Sequence, residues 1–207
     1  MFISNIKFNL VRWIPIAYFK IFHRIEFHGS ENIPATGPVI IASNHTSFYD
    51  PVIVGTGVYR DIEFMAWDKL FTIPILRSVI RFFGAFPVES SKADKGAYVN
   101  ALRTLFKRKA LIIFPEGERS RDGKVKNLKL GIARMALKTN ARIVPVTIVG
   151  AYEAFSRDRL VPRPGKISVY YHKPITIDKH EFADIKSRNE YFNKITDQVT
   201  KVISSKL

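Results

Sequence analysis

The chain has 207 residues, enough to bury a substantial core in one domain, and its 46% hydrophobic and 13% aromatic content excludes a disordered or low-complexity chain. Lysine and arginine number 33 against 18 acidic residues, a formal charge of +15, so its partners are polyanions: nucleic acid, an anionic membrane surface or phosphorylated ligands. There is no cysteine, which excludes disulfides, thiol nucleophiles and thiolate metal sites.

The expected organisation is an N-terminal segment over residues 1–24 and one domain over residues 25–207. From Phe2 to Phe27 the chain is apolar and aromatic but interrupted by Lys7, Arg12, Lys20 and Arg24, and no acidic residue precedes Glu26. Only Trp13 to Phe19 run uncharged between Arg12 and Lys20, far short of the roughly 20 apolar residues of a spanning helix. Ile3, Ile6, Leu10, Trp13, Ala17 and Ile21 recur at helical spacing. The pattern predicts an amphipathic helix, kinked at Pro15, lying in anionic headgroups; the competing reading packs it on the domain's own core.

Further on, a short strand is predicted over Arg24 to His28 and a buried one over Val39 to Ser43. Asp50 and Pro51 predict a helix start, the aspartate as N-cap and the proline at the first helical position, running to about Tyr59. A strand is expected over Ile62 to Ala66, a helix over Leu70 to Phe83 closed by Gly84, and a strand over Ala85 to Val88. Ser91 and Asp94 are expected to cap a helix from about Lys95 to Lys107, followed by a buried strand over Ala110 to Phe114. The remaining elements are a helix over Leu128 to Lys138, strands over Arg142 to Val149 and Ile167 to Tyr171, and a last helix capped by Asp178 and Glu181. That helix is expected to carry Phe182, Ile185, Phe192, Ile195, Val199 and Val202 on its apolar face. Pro145 places the strand that holds it at an edge or a bulge. Strands and helices alternate, so the fold class is α/β, a single domain with a mixed, largely parallel sheet flanked by helices.

Of the five histidines, His45 alone follows a strand in a polar loop with a carboxylate, Asp50, five residues on. On a continuous helix the two side chains would stand about 140° apart, so it is the loop that lets them meet. Asp50 would then hold one imidazole nitrogen so that the other takes a proton from a hydroxyl. The alternative is that Asp50 only caps a helix and His45 only bonds backbone. A second polar loop, Glu116-Gly117-Glu118-Arg119-Ser120, also follows a buried strand, and carboxyl-end loops of open α/β sheets are where ligands bind. Arg119 offers a planar fork of donors for phosphate, and Gly117 permits close backbone approach, unless the loop is only a solvated turn.

Asn44-His45-x-x-x-x-Asp50 followed by Phe114-Pro115-Glu116-Gly117-x-Arg119-Ser120 resembles the glycerophospholipid acyltransferases, in particular the bacterial 1-acylglycerol-3-phosphate acyltransferases. Gly84-Ala85-Phe86-Pro87-Val88-Glu89 is similar to that family's second motif and Val144-Pro145-Val146 to its fourth, and Lys129-Leu130-Gly131 also fits. The resemblance, which extends from about Arg24 to Tyr171, implies that His45 is a general base oriented by Asp50. It further implies that Asn44, Gly84, Glu116, Gly117, Arg119, Ser120 and, more loosely, Pro145 serve the substrates. The acceptor is then a lysophospholipid, most directly 1-acylglycerol-3-phosphate, and the donor an acyl-CoA or acyl carrier protein. No cofactor and no metal are implied, nucleic acid is not an expected partner, and the place of action is peripheral or monotopic on the cytoplasmic face of the cell membrane.

Two positions depart from the family. Ser90 stands where an arginine is common six residues after the second-motif glycine, which leaves Arg77, Arg81 or Lys92 as replacements or a different lysolipid as acceptor. Glu118 stands where threonine is usual, and a carboxylate beside a phosphate site is unfavourable unless it pairs with Arg119 or Arg121. The rival readings are a lipid hydrolase, with water in place of the acceptor, and a basic membrane- or nucleic-acid-binding protein without turnover.

Overall fold

The apolar run Val39–Ser43 is a strand buried at every position in the computed structural model of the chain, which describes residues 13–89, 95–178 and 182–207. Seven strands are formed: β1 (Glu26–His28), β2 (Val39–Ser43), β3 (Ile62–Trp67), β4 (Ala85–Val88), β5 (Ala110–Ile113), β6 (Arg142–Val149) and β7 (Ser168–Tyr171). They make one sheet in the order β1-β7-β6-β2-β5-β3-β4, parallel at every pairing except β6 with β7. The helices are α1 (Trp13–His23), α2 (Asp50–Thr56), α3 (Pro74–Phe82), α4 (Lys95–Phe106), α5 (Gly131–Thr139), α6 (Ala151–Phe155) and α7 (Ile185–Ser204).

Side chains of a strand alternate between faces, and β2 shows what that does here. Val39 and Ile41 pack with Phe19 of α1, with Ile53 and Val54 of α2, and with Ala151 and Ala154 of α6. Ile40 and Ala42 face the other way, onto Leu105 of α4, Ile132 and Ala136 of α5 and Phe192, Ile195, Val199 and Ile203 of α7. A strand covered on both faces reads as a continuous apolar run, its valine and isoleucine side chains each contributing about 1.5–3 kcal/mol on burial. The expected class, a mixed and largely parallel sheet flanked by helices, is the one observed.

Several boundaries differ from expectation for local reasons. The stretch expected as one helix divides into a 3-10 turn, Asp68–Thr72, and α3, because Ile73 is extended ahead of Pro74. Helix α5 begins at Gly131 rather than Leu128, since Lys129 N–H donates to Pro115 O (2.9 Å) and that segment is held as a strap. Helix α7 is capped by Asp184, whose side chain accepts from Ser187 N–H in a capping box, and not by Asp178. Phe182 lies ahead of that helix, Ile185 is exposed, and the buried stripe is Phe192, Ile195, Val199 and Ile203. The expected caps Ser91, Asp94 and Glu181, and the residues before Trp13, lie outside the described residues.

Pro145 is in an interior strand, not at an edge: β6 has β2 on one side and β7 on the other. Its carbonyl accepts from His172 N–H (3.0 Å), one step before the β6–β7 ladder starts at Val146 and Tyr171. A residue's N–H and C=O point to the same strand edge, so the missing donor falls where the ladder ends.

Helix α1 docks through Ile16, Phe19 and His23, leaving Trp13, Ile14, Ala17, Ile21 and Phe22 outward. The outward set includes three residues of the predicted apolar stripe, so the helix has a second apolar face besides the docked one. His23 is buried among the Phe19 and Tyr49 rings, and neither ring nitrogen has a hydrogen-bond partner. Burial pushes its pKa down from the ordinary value, with only a smaller opposing pull from the Gly165 backbone. Between that depressed folded value and about 6.5 the unfolded chain binds more protons than the folded one, so stability falls as pH drops below about 6.5 and is unaffected above it. His172, also lowered by burial and by Lys206, acts in the same direction. The urea midpoint of the protein is expected to fall between about pH 7.5 and pH 5, and less steeply in His23→Phe; identical slopes in the two proteins would contradict the account.

Candidate active site

Strands β2 and β5 are parallel neighbours with Ala42 opposite Ile113, so the loops that follow them leave the same sheet edge side by side. Glu116 ties them together. Its Oε1 accepts from His45 N–H (2.9 Å) and its Oε2 from Lys126 N–H (3.1 Å), while Ser120 N–H donates back to His45 O (2.7 Å). Burial pushes the Glu116 carboxyl above the usual carboxylate range, and the two backbone donors pull it partly back. Asn44 anchors the same corner to β6: its side chain donates to Ile148 O (3.0 Å) and accepts from Ile148 N–H (2.8 Å). His45 is thereby fixed through its main chain from both sides.

The side chain of His45 is fixed as well. Its ring stacks on Phe114 with centroids 4.1 Å apart, and its Nδ1 lies 2.8 Å from Asp50 Oδ2. That same oxygen accepts from Thr46 N–H (2.6 Å) and Ser47 N–H (2.7 Å). Asp50 is fully buried in the first turn of α2, whose N-cap is Tyr49, so its carboxylate ties down the loop before the helix instead of capping it. A buried carboxylate held by two backbone donors is a rigid acceptor for a ring N–H. The arrangement favours the Nδ1–H tautomer and leaves Nε2 with a free lone pair, the form that takes a proton.

Gly117 closes a turn by donating its N–H to Phe114 O (3.0 Å), with Pro115 and Gly117 in turn positions that suit them. Its φ is +82°, a backbone conformation that favours glycine, and a Cβ there would also have to displace the end of the Lys129 side chain. Arg119 lies with its guanidinium carbon 3.6 Å from the centre of the Phe48 ring, and its buried Nη1 has no hydrogen-bond partner. Burial and then the nearby Arg157 lower its pKa, and Asp50 opposes them. Ser120 is buried with its hydroxyl donating to Asp122 Oδ1 (2.8 Å). Glu118 pairs with neither Arg119 nor Arg121 but turns outward to Lys126 Nζ (3.2 Å).

The family model described as Acyltransferase matches residues 24–149, which include both loops. The chain belongs to the acyltransferase family. It is 30% identical over 193 residues to the chloroplastic 1-acyl-sn-glycerol-3-phosphate acyltransferase LPAT1 of Arabidopsis thaliana, covering 90% of this chain and 52% of that protein. It is 32% identical over 179 residues to the 1-acyl-sn-glycerol-3-phosphate acyltransferase of Borreliella burgdorferi, covering 86% of this chain and 70% of that one. The chain thus spans about half the length of the plant relative and rather more of the bacterial one. Among solved structures, the 1-acyl-sn-glycerophosphate acyltransferase PlsC of Thermotoga maritima superposes with a TM-score of 0.70 at 27% identity, over 92% of this chain and 77% of that chain.

Within this family member the nine residues singled out by sequence do not all converge. His45, Asp50, Gly117 and Arg119 meet at the carboxyl ends of β2 and β5. Asn44, Glu116 and Ser120 are there too, but they are buried and their polar atoms hold backbone or Asp122. Gly84 is elsewhere: Ala85 is in one row with Phe64, Ile112 and Ile41, so Gly84 sits at the start of β4, below His45 in the sheet. A Cβ at Gly84 would strike the Ile62 carbonyl, and its φ of +88° also demands glycine. Pro145, opposite Ala42, lies inside the sheet rather than in the loops. Phe48 under Arg119 carried no signal in the sequence, because the two are brought together only by the fold.

Proposed function

We propose that this acyltransferase moves a fatty acyl group from an acyl thioester to the free hydroxyl of a lysophospholipid, 1-acylglycerol-3-phosphate first, giving phosphatidic acid. The observation that carries the reading is His45, with Nδ1 held by buried Asp50, beside an arginine whose buried donor is unpaired. His45 Nε2 takes the hydroxyl proton as the oxygen attacks the thioester carbonyl, and Asp50 stabilises the imidazolium. The tetrahedral intermediate collapses with loss of the thiolate, to which the imidazolium returns the proton. The new ester and the free thiol are the products. A thioester is already activated, so a positioned base, contributing about 10²–10⁴-fold, suffices without a covalent enzyme intermediate. Arg119 holds the acceptor phosphate.

The test is a panel of lysolipid acceptors against acyl-CoA and acyl carrier protein, with products identified by mass spectrometry. Ester formation on 1-acylglycerol-3-phosphate is expected with one or both donors. Release of free fatty acid at the same rate with and without acceptor would overturn the reading in favour of hydrolysis.

The same reading places the enzyme peripherally on the cytoplasmic face of the cell membrane, against anionic lipid. What supports this is the charge of +15 and the outward apolar face of α1. No helix among the described residues is long and apolar enough to cross a membrane. Ile14 and Ile21 are 70% and 74% exposed, so Ile14→Glu with Ile21→Glu is expected to keep the unfolding midpoint and reduce co-sedimentation with phosphatidylglycerol vesicles. Removing all of α1 would be a poor test, because Phe19 belongs to the core. Undiminished co-sedimentation of the double variant would rule out this face as the lipid contact.

A further inference from the structure

The segment after α6 is laced onto the catalytic loop. Phe48 N–H donates to Phe155 O (3.2 Å), Ser47 Oγ donates to the same carbonyl (2.8 Å), and Ser47 and Ser156 form an antiparallel bridge. Arg157 follows Ser156 directly, in the turn that Arg159 N–H closes on Ser156 O (3.2 Å). The ring of Phe155 lies 5.0 Å from that of Phe48, the ring on which Arg119 rests. Two arginines from distant parts of the chain are therefore held against one loop.

Neither is held there by an ion pair among the described residues, and the Arg119 Nη1 is buried and unpaired. Burial is the larger cause of the lowered Arg119 pKa, and Arg157 is close enough to add to it, against the opposing pull of Asp50. Glu118 feels the Arg157 charge, yet its hydrogen bond goes to Lys126. Like charges fixed beside each other, one with a buried donor to spare, are unfavourable until a multiply charged anion arrives, which two planar forks bind well. Meanwhile Ser90 takes the place of an arginine common in the family. Of the expected replacements, Arg77 and Arg81 lie on α3, which follows β3 and leads into β4 at the far edge of the sheet from β6.

We propose that Arg157 is a second ligand of the acceptor's phosphate, acting with Arg119 and standing in for the arginine that this chain lacks at Ser90. This rests on the reading of the enzyme as acting on a phosphorylated acceptor. The phosphomonoester sits between the two guanidiniums, which places the acceptor hydroxyl within reach of His45. Arg157 thus determines specificity for a phosphorylated acceptor and leaves proton transfer to His45.

Two measurements test it. The first is calorimetric binding of glycerol 3-phosphate to the full chain, to Arg157→Gln, and to Arg163→Gln, which removes an equal charge from the exposed stretch that follows. Binding is expected to weaken about 10- to 100-fold in Arg157→Gln, the worth of a charge-assisted hydrogen bond, to be unchanged in Arg163→Gln, and to recover in part in Arg157→Lys. The second is steady-state acylation of 1-acylglycerol-3-phosphate, where KM for the acceptor is expected to rise in Arg157→Gln by the same factor with KM for the donor unchanged. Equal binding by Arg157→Gln and the parent, or equal loss in Arg157→Gln and Arg163→Gln, would overturn the proposal while leaving the acyl transfer intact. Arg157-dependent binding in a protein that transfers no acyl group would instead uphold the anion site and overturn the enzymatic reading.

Discussion

His45→Ala is expected to lower acyl transfer by at least about 10²–10⁴-fold, the contribution of a positioned base, with the fold retained. The two halves of that expectation come from different atoms of the same residue. The loop is held by His45 main-chain groups, its N–H on Glu116 and its carbonyl on Ser120 N–H, and alanine keeps both. The side chain supplies only the stack on Phe114 and the bond to Asp50, whose Oδ2 keeps its two backbone donors when the ring is gone. Circular dichroism and the urea midpoint should therefore change little, while kcat collapses and glycerol 3-phosphate still binds. Turnover near that of the parent enzyme would remove His45 as the base.

Asp50→Asn is expected to damage both activity and stability. With three donors converging on Oδ2, the amide must keep its oxygen there, because an NH₂ group would face Thr46 N–H and Ser47 N–H directly. The NH₂ then occupies the Oδ1 position, which is buried and has no partner. An orphaned donor costs about 1–3 kcal/mol, so the urea midpoint should fall, in contrast to His45→Ala. The imidazolium formed during proton transfer loses its carboxylate, so kcat should fall by an amount approaching the full worth of the base, about 10²–10⁴-fold. An Asp50→Asn enzyme with kcat unchanged would show that Asp50 only holds the loop.

These two residues were legible in the sequence because the information is local. A buried strand, a short polar turn and a helix start put His45 and Asp50 within five residues, and only a loop had to bring them together. The role of Asp50 was less so. Capping and loop-tying demand the same residue type next to a helix start, and the difference is which way the carboxylate turns. Helix α7 shows a similar limit: Asp178 and Asp184 both precede it, and the capping box with Ser187 decides between them.

Asn44 and Glu116, expected to serve the substrates, brace the site through bonds to distant parts of the chain. Glu116 and His45 are 71 residues apart, and Asn44 and Ile148 are 104 apart. A polar residue in a loop looks the same in sequence whether its hydrogen bonds go to a ligand or to a distant backbone.

What the sequence by itself determined is the class of the fold, the two motif loops with His45, Asp50 and Arg119 in them, and the glycines at Gly84 and Gly117. All of these follow from short-range propensities: apolar runs that must be covered on both faces, turns that need a positive φ, and a carboxylate placed near an imidazole. What only the tertiary structure decided is which residues are shared between those loops. The sheet order β1-β7-β6-β2-β5-β3-β4 sets β5 and β6 on either side of β2, although neither is next to it in the chain. That adjacency brings Glu116 under His45, Ile148 onto Asn44 and Ser156 onto Ser47. It also leaves Gly84 and Pro145 away from the loops, because a residue's position along its strand depends on register, which no local pattern records.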